Sequence, residues 1–120
     1  MPRVVHFEIN AADPEKAVAF YSGVFGWKSE KWEGPFDYWM LTTGAEDEPG
    51  INGAIMSGGR APIINTIDVA SLDEALKAVE AHGGKAVGER QTIPGVGYHI
   101  YCADPEGNLF GMMEEDINAS

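Results

Sequence analysis

His6 and Glu8 are the side chains best placed for chemistry in this chain. They stand two residues apart in an alternating stretch, Val4 to Ile9, and so share one face of a strand. An imidazole can donate, accept or take up a proton near neutrality. A carboxylate beside it can complete an acid–base pair or hold a cationic group. Asp68 lies in a second strand on the face of Thr66, and its place near the strand end suits a solvated carboxylate. His99 falls between Tyr98 and Ile100, its facing open; it reads first as a surface or core residue and second as a partner of His6 and Glu8 in a non-standard metal site. His82 falls at a helix C-terminus, where a partly positive ring is favourable. Cys102 is the single cysteine, so no intrachain disulfide forms; it reads as a small buried hydrophobe, and a reducing compartment fits. Phosphate loops, dinucleotide fingerprints, nucleophile elbows and zinc-finger spacings are absent from the sequence.

The elements that carry these residues occur twice. A shift of about 58 positions lays Ile9 on Ile67, Ala12 on Ala70, Ala17 on Ala75 and Gly26 on Gly84. In the first half, Asp13-Pro14 is an N-cap followed by a proline at the first helical position. Ala17, Val18, Phe20, Tyr21, Val24 and Phe25 make an apolar stripe, and Gly26 stops the helix. Lys28 to Glu33 reads as a polar edge strand, Gly34-Pro35 as a turn, and Phe36 to Thr42 and Ile51 to Met56 as strands. In the second half, Ile63 to Val69 is a strand and Ser71 opens a Ser-x-x-Glu capping box with Glu74. Leu72, Ala75, Leu76 and Val79 are the second stripe. Lys85 to Gln91, Tyr98 to Ala103 and Leu109 to Glu114 are strands, with a tight turn at 104–108. The last few residues are expected to fray.

Each half is therefore strand, helix and three strands. The fold class is α+β: two tandem βαβββ modules, residues 3–57 and 62–116, joined by the linker 57–62 in one domain spanning 1–120. The two halves are expected to form a half-barrel mixed sheet with helices on its outer face and a concave inner face.

Nineteen acidic residues against eight basic ones give a net charge of −11. That excludes nucleic acid and anionic membrane as natural partners and leaves room for a cationic ligand. The N-terminus lacks a signal-peptide pattern and no apolar run approaches a membrane span, so a cytoplasmic protein is expected. Trp27, Trp32, Tyr38, Trp39, Tyr98 and Tyr101 are enough to line a ligand cavity. Alternation sets Trp39 opposite Phe36, Tyr38 and Met40; those three read as core, which makes Trp39 the expected pocket aromatic. Of Met112 and Met113, one should face the cavity and the other the helices.

The Asp-Pro-x-x-Ala-x-x-Phe-Tyr run (Asp13 to Tyr21), the Val-Phe-Gly-Trp ending and the strand–Asp-Pro-Glu-Gly-Asn–strand element resemble the vicinal oxygen chelate superfamily. That superfamily contains glyoxalase, bleomycin-resistance proteins and extradiol dioxygenases. Ile-Pro-Gly-Val-Gly-Tyr, with Asp-Pro-Glu-Gly-Asn-Leu-Phe-Gly after it, looks most like its glyoxalase-like branch. The resemblance implies a divalent-metal site with four ligands on the first and last strands of each module. Carried over, the slots fall on His6, Ile64, on or next to Gly53, and on Gly111. Three of the four lack a donor side chain, so no metal cofactor is expected. Glycines at two slots imply spare volume for a larger ligand. The resemblance also implies a homodimer, for which the polar strand Lys28 to Glu33 leaves an edge.

Two functional readings stand. One is a metal-free protein binding a small organic ligand, cationic or aromatic, with His6, Glu8, Trp39, Gly53, Ile64, Thr66, Gly111 and Met113 around it. The other is a glyoxalase-like lyase or isomerase that uses His6 and Glu8 as acid and base, or holds a non-standard divalent ion. Ligand identity is not legible, nor is whether the cavity lies within one chain or across two.

Overall fold

A computed structural model describes residues 2–34 and 37–120. The fold is α+β and consists of two compact units, residues 6–64 and residues 65–120 with 1–5. The expected strand at Phe36 and the turn at Pro35 fall outside the described residues.

The first module contains β1 (Val4–Asn10), α1 (Pro14–Phe25), β2 (Lys28–Lys31), β3 (Tyr38–Thr42) and β4 (Asn52–Met56). Its strand order is β2-β3-β4-β1, with β1 and β4 parallel and the other pairs antiparallel. The α1 signals act as the sequence suggests. Asp13 accepts from Lys16 N, Pro14 opens the helix, and Gly26 closes it in the left-handed conformation at φ 74°. β2 is exposed along its whole length, and its Lys-Ser-Glu-Lys composition keeps that edge polar.

The α1 stripe does not behave as expected. No α1 residue is buried, and Phe20, Val24 and Phe25 are 57%, 58% and 59% exposed. The helix instead meets its sheet through a run of rings. Tyr21 stacks on Trp27 at 5.3 Å and 7°, and Trp27 meets Phe7 at 5.9 Å.

The second module contains β5 (Ile63–Asp68), α2 (Leu72–Ala81), β6 (Lys85–Ile93), β7 (Gly97–Ala103) and β8 (Leu109–Glu115). Its order is β5-β8-β7-β6, with β5 and β8 parallel. Ser71 accepts from Glu74 N, while Leu72 N is taken by the Glu114 carboxylate at 2.7 Å. Glu114 thus ties the first turn of α2 to β8. Here the core is conventional: Leu72, Ile100, Cys102 and Met112 are buried, with Ala75, Leu76, Val79 and Phe110 packed on them. β6 carries an irregularity between Val87 and Gln91, where Gly88 has φ 88°. The 104–108 turn closes on the Asp104 carboxylate, which accepts from Glu106 N, Asn108 N and the Asn108 side chain. These hydrogen bonds hold its pKa below the ordinary aspartate value.

The C-terminal residues do not fray as expected. Asp116 N bonds Val96 O, Gly95 N bonds Ala119 O, and Ala119 is buried, so the tail is laced to the β6–β7 loop. Among the described residues no helix is long and apolar enough to cross a membrane.

Candidate functional site

Strand register decides which side chains share a face. In the first module His6 pairs with Asn52, Glu8 with Ala54, and Asn10 with Met56. Across β4, Ala54 pairs with Met40 and Met56 with Tyr38. Directly paired residues point the same way, so one face carries His6, Glu8, Asn10, Tyr38, Met40, Asn52, Ala54 and Met56. The opposite face carries Phe7, Ile9, Trp39, Leu41, Gly53 and Ile55, and receives Trp27.

Two expectations are corrected by this register. Trp39 alternates with Tyr38 and Met40 as expected, but the sides are exchanged: Trp39 is buried beside Leu41 on the Phe7 face. Gly53 is also on that face. A Cβ there would meet the Phe7 ring at 2.5–2.6 Å, so the volume the glycine leaves is filled. Ala54, fully buried, is the residue that faces the His6 side.

His6, Glu8 and Tyr38 form the polar centre of this module. His6 Nε2 lies 3.0 Å from Tyr38 Oη. Burial pushes the His6 pKa down, so its imidazole is neutral near pH 7. Burial first, and the Glu8 charge second, push the Tyr38 phenol up beyond any physiological pH. Glu8 is 6% exposed. The group therefore offers an imidazole, a phenol that keeps its proton, and a carboxylate. Met40, 51% exposed on the same face, adds a flexible apolar surface.

In the second module Thr66 pairs with Gly111, Asp68 with Met113, Tyr101 with Gly111 and His99 with Met113. Ile64, Thr66, His99, Tyr101, Gly111 and Met113 thus share the face turned away from α2. The facing of His99 is now defined: it is buried, edge-on to Tyr101 at 4.5 Å. A Cβ on Gly111 would lie 2.5 Å from His99 Nε2 and 3.2 Å from Thr66 Oγ1. The spare volume expected at Gly111 is therefore taken by His99. Met112 enters the α2 core and Met113 the other face.

The register also corrects the repeat. The offset of 58 holds for β1 and β5, laying His6 on Ile64 and Glu8 on Thr66. In the last strands it is 57, because Ala54 and Gly111 occupy the same place relative to Glu8 and Thr66. A slip of one residue exchanges faces, which is why Gly53 read as a slot. By the same mapping Tyr38 is the counterpart of His99 and Met40 of Tyr101. Sequence reasoning missed Tyr38 and left His99 open; alternation in β3 and β7 groups the residues of each face, and only the register shows which group joins the first strand's polar face.

Two clefts lie elsewhere. One of about 380 Å³ is lined by Asn10, Ala11, Ala12 and residues 58–62. Another of about 330 Å³ is lined by Pro2, Asp68, Val69, Ala70 and Glu115. Neither is lined by His6, Glu8 or Tyr38.

The residues do not fit a divalent ion. Of the four implied slots, His6 alone has a donor, and its Nε2 is engaged by Tyr38. Among the described residues no three His, Cys, Asp or Glu side chains converge as ligands.

A family model described as the Glyoxalase/Bleomycin resistance protein/Dioxygenase superfamily matches residues 3–112. No curated protein matches the sequence. Among solved structures, methylmalonyl-CoA epimerase from Mycobacterium tuberculosis is 16% identical with a TM-score of 0.71, over 94% of this chain and 87% of that one. A hypothetical protein from Bacillus halodurans C-125 is 15% identical with a TM-score of 0.73, over 99% and 98%. Homoprotocatechuate 2,3-dioxygenase from Brevibacterium fuscum is 21% identical with a TM-score of 0.70, over 98% of this chain and 37% of that one. At these identities the likeness is one of fold.

Proposed function

The chain belongs to the glyoxalase/bleomycin resistance protein/dioxygenase superfamily, and from that premise we propose that it binds a small organic ligand without a divalent metal. The observation that carries this reading is the His6–Tyr38 hydrogen bond beside the buried Glu8. A neutral imidazole and a protonated phenol bring no positive charge, and the Glu8 carboxyl adds hydrogen-bond acceptors beside them. Such a face favours a ligand with hydrogen-bond donors or a cationic group and disfavours a carboxylate or phosphate. The overall charge of −11 acts in the same direction at long range. Tyr38 and Met40 supply the surface an aromatic ligand would cover. The protein is proposed to act as a cytoplasmic homodimer.

Thermal-shift titration tests the reading, with bleomycin as the cationic probe and pyruvate as the anionic one. Bleomycin is expected to raise the Tm and pyruvate to leave it unchanged. Glu8→Gln should abolish the bleomycin shift. A shift with pyruvate, or none with bleomycin, goes against the proposal.

A second reading is favoured by one feature. His6 and Glu8 stand two residues apart on one strand face, a backbone rise of about 6.6 Å, with the imidazole neutral, which suits a pair that acts on one substrate as acid and base. Solvent deuterium uptake by pyruvate, surviving a chelator and lost in His6→Gln, would select this acid–base enzyme over the binding protein.

A further inference from the structure

We propose that Tyr38 is a positioning residue that closes His6 Nε2 to a metal and leaves Nδ1 as the open ring atom of the site. The inference rests on the metal-free reading above. The hydrogen bond joins Nε2 to Oη at 3.0 Å. If the phenol donates, the Nε2 lone pair is occupied. If Nε2 carries the proton, it has no lone pair to give. Either tautomer removes this nitrogen from coordination, so the conclusion does not depend on which one forms.

The path of the phenol explains why the slot residue is small. Tyr38 sits in the Asn10–Met56 row, His6 in the Asn52 row, and β4 lies between their strands. The line joining them crosses β4 at the middle row, which is Ala54. Ala54 is the counterpart of Gly111 and marks the last-strand slot. A side chain long enough to hold an ion there would stand in the way of the tyrosine. The small, donorless residue at 54 and the reach of Tyr38 to His6 are thus parts of one arrangement. The second module follows the same plan, with His99 from the position matching Tyr38 lying over Gly111.

The test uses full-length protein labelled with 15N-histidine, whose three imidazoles give separate long-range 1H–15N patterns; His6→Gln identifies the His6 pattern. Tyr38→Phe is expected to shift His6 Nε2 and leave His82 unmoved. Ala54→Val, which keeps the phenol but blocks its path, is expected to give the same shift. A purely structural role for Tyr38 would lower the Tm without singling out His6 Nε2. An unchanged His6 pattern in either folded variant overturns the proposal. So does a wild-type His6 Nε2 that moves at one equivalent of zinc; several equivalents are expected to leave it in place. None of these readouts needs a bound ligand, so failure of the bleomycin titration would count against the binding reading alone.

Discussion

The two modules share one chain order and one strand pairing, yet they spend their residues differently. The second module is built as a conventional core: α2 buries Leu72 onto Ile100, Cys102 and Met112, and Thr66 and His99 are buried on the other face of its strands. The first module leaves the apolar side of α1 open and keeps its polar group, His6 with Glu8 and Tyr38, on the face away from that helix. Where Ile64 and Thr66 stand in one module, His6 and Glu8 stand in the other. The difference teaches that one copy of a shared scaffold can concentrate the buried apolar core while the other holds a polar group.

Core truncation should separate the modules most. Ile100→Ala is expected to cost about 2–5 kcal/mol in urea denaturation, because a buried side chain leaves a cavity. Val24→Ala on α1 should stay within about 0.5 kcal/mol, since that side chain is mostly exposed. Equal costs would mean that α1 is covered in solution and would break the comparison. Gly111→Ala comes next, at about 1–3 kcal/mol, because His99 must move to admit the Cβ. Adding His99→Ala should recover part of that loss, and strict additivity in the double-mutant cycle would count against the contact. The helix caps should be alike in both halves: Asp13→Ala and Ser71→Ala are each expected to cost about 1 kcal/mol by thermal unfolding.

The smallest effect is a pH dependence near neutrality that arises in the first module. The folded-state pKa of His6 is depressed, so the unfolded chain binds the extra proton first. The stability contributed by the neutral ring is fully present above its ordinary value of 6.5 and is lost as pH falls from there through the folded pKa. His6→Gln should flatten the stability profile in that window. An unchanged slope would show that His6 is not the group responsible.

Much of the fold was legible because its signals are local. Asp13-Pro14, Gly26 and Ser71 each set a helix end by hydrogen bonding or backbone preference within a few residues. The repeat was legible too, and with it the pairing of His6 with Ile64. The faces of β3 and β4 were not. Trp39 and Gly53 were assigned to the wrong side because alternation tells which residues oppose each other, not which side meets the helix. A shift of one residue between the last strands, 57 against 58, exchanges the two faces without altering the strand's composition.

The sequence by itself determined the α+β class, the two βαβββ modules, the helix boundaries and the absence of a donor side chain at Ile64 and Gly111, since all of these depend on residue type and short-range spacing. Only the tertiary structure decided that Tyr38 reaches His6 and that His99 fills the space over Gly111. Those partners sit on different strands, 32 and 12 residues apart in the chain. Strand register brings them together, and register is set by packing across the whole sheet rather than by any one stretch of sequence.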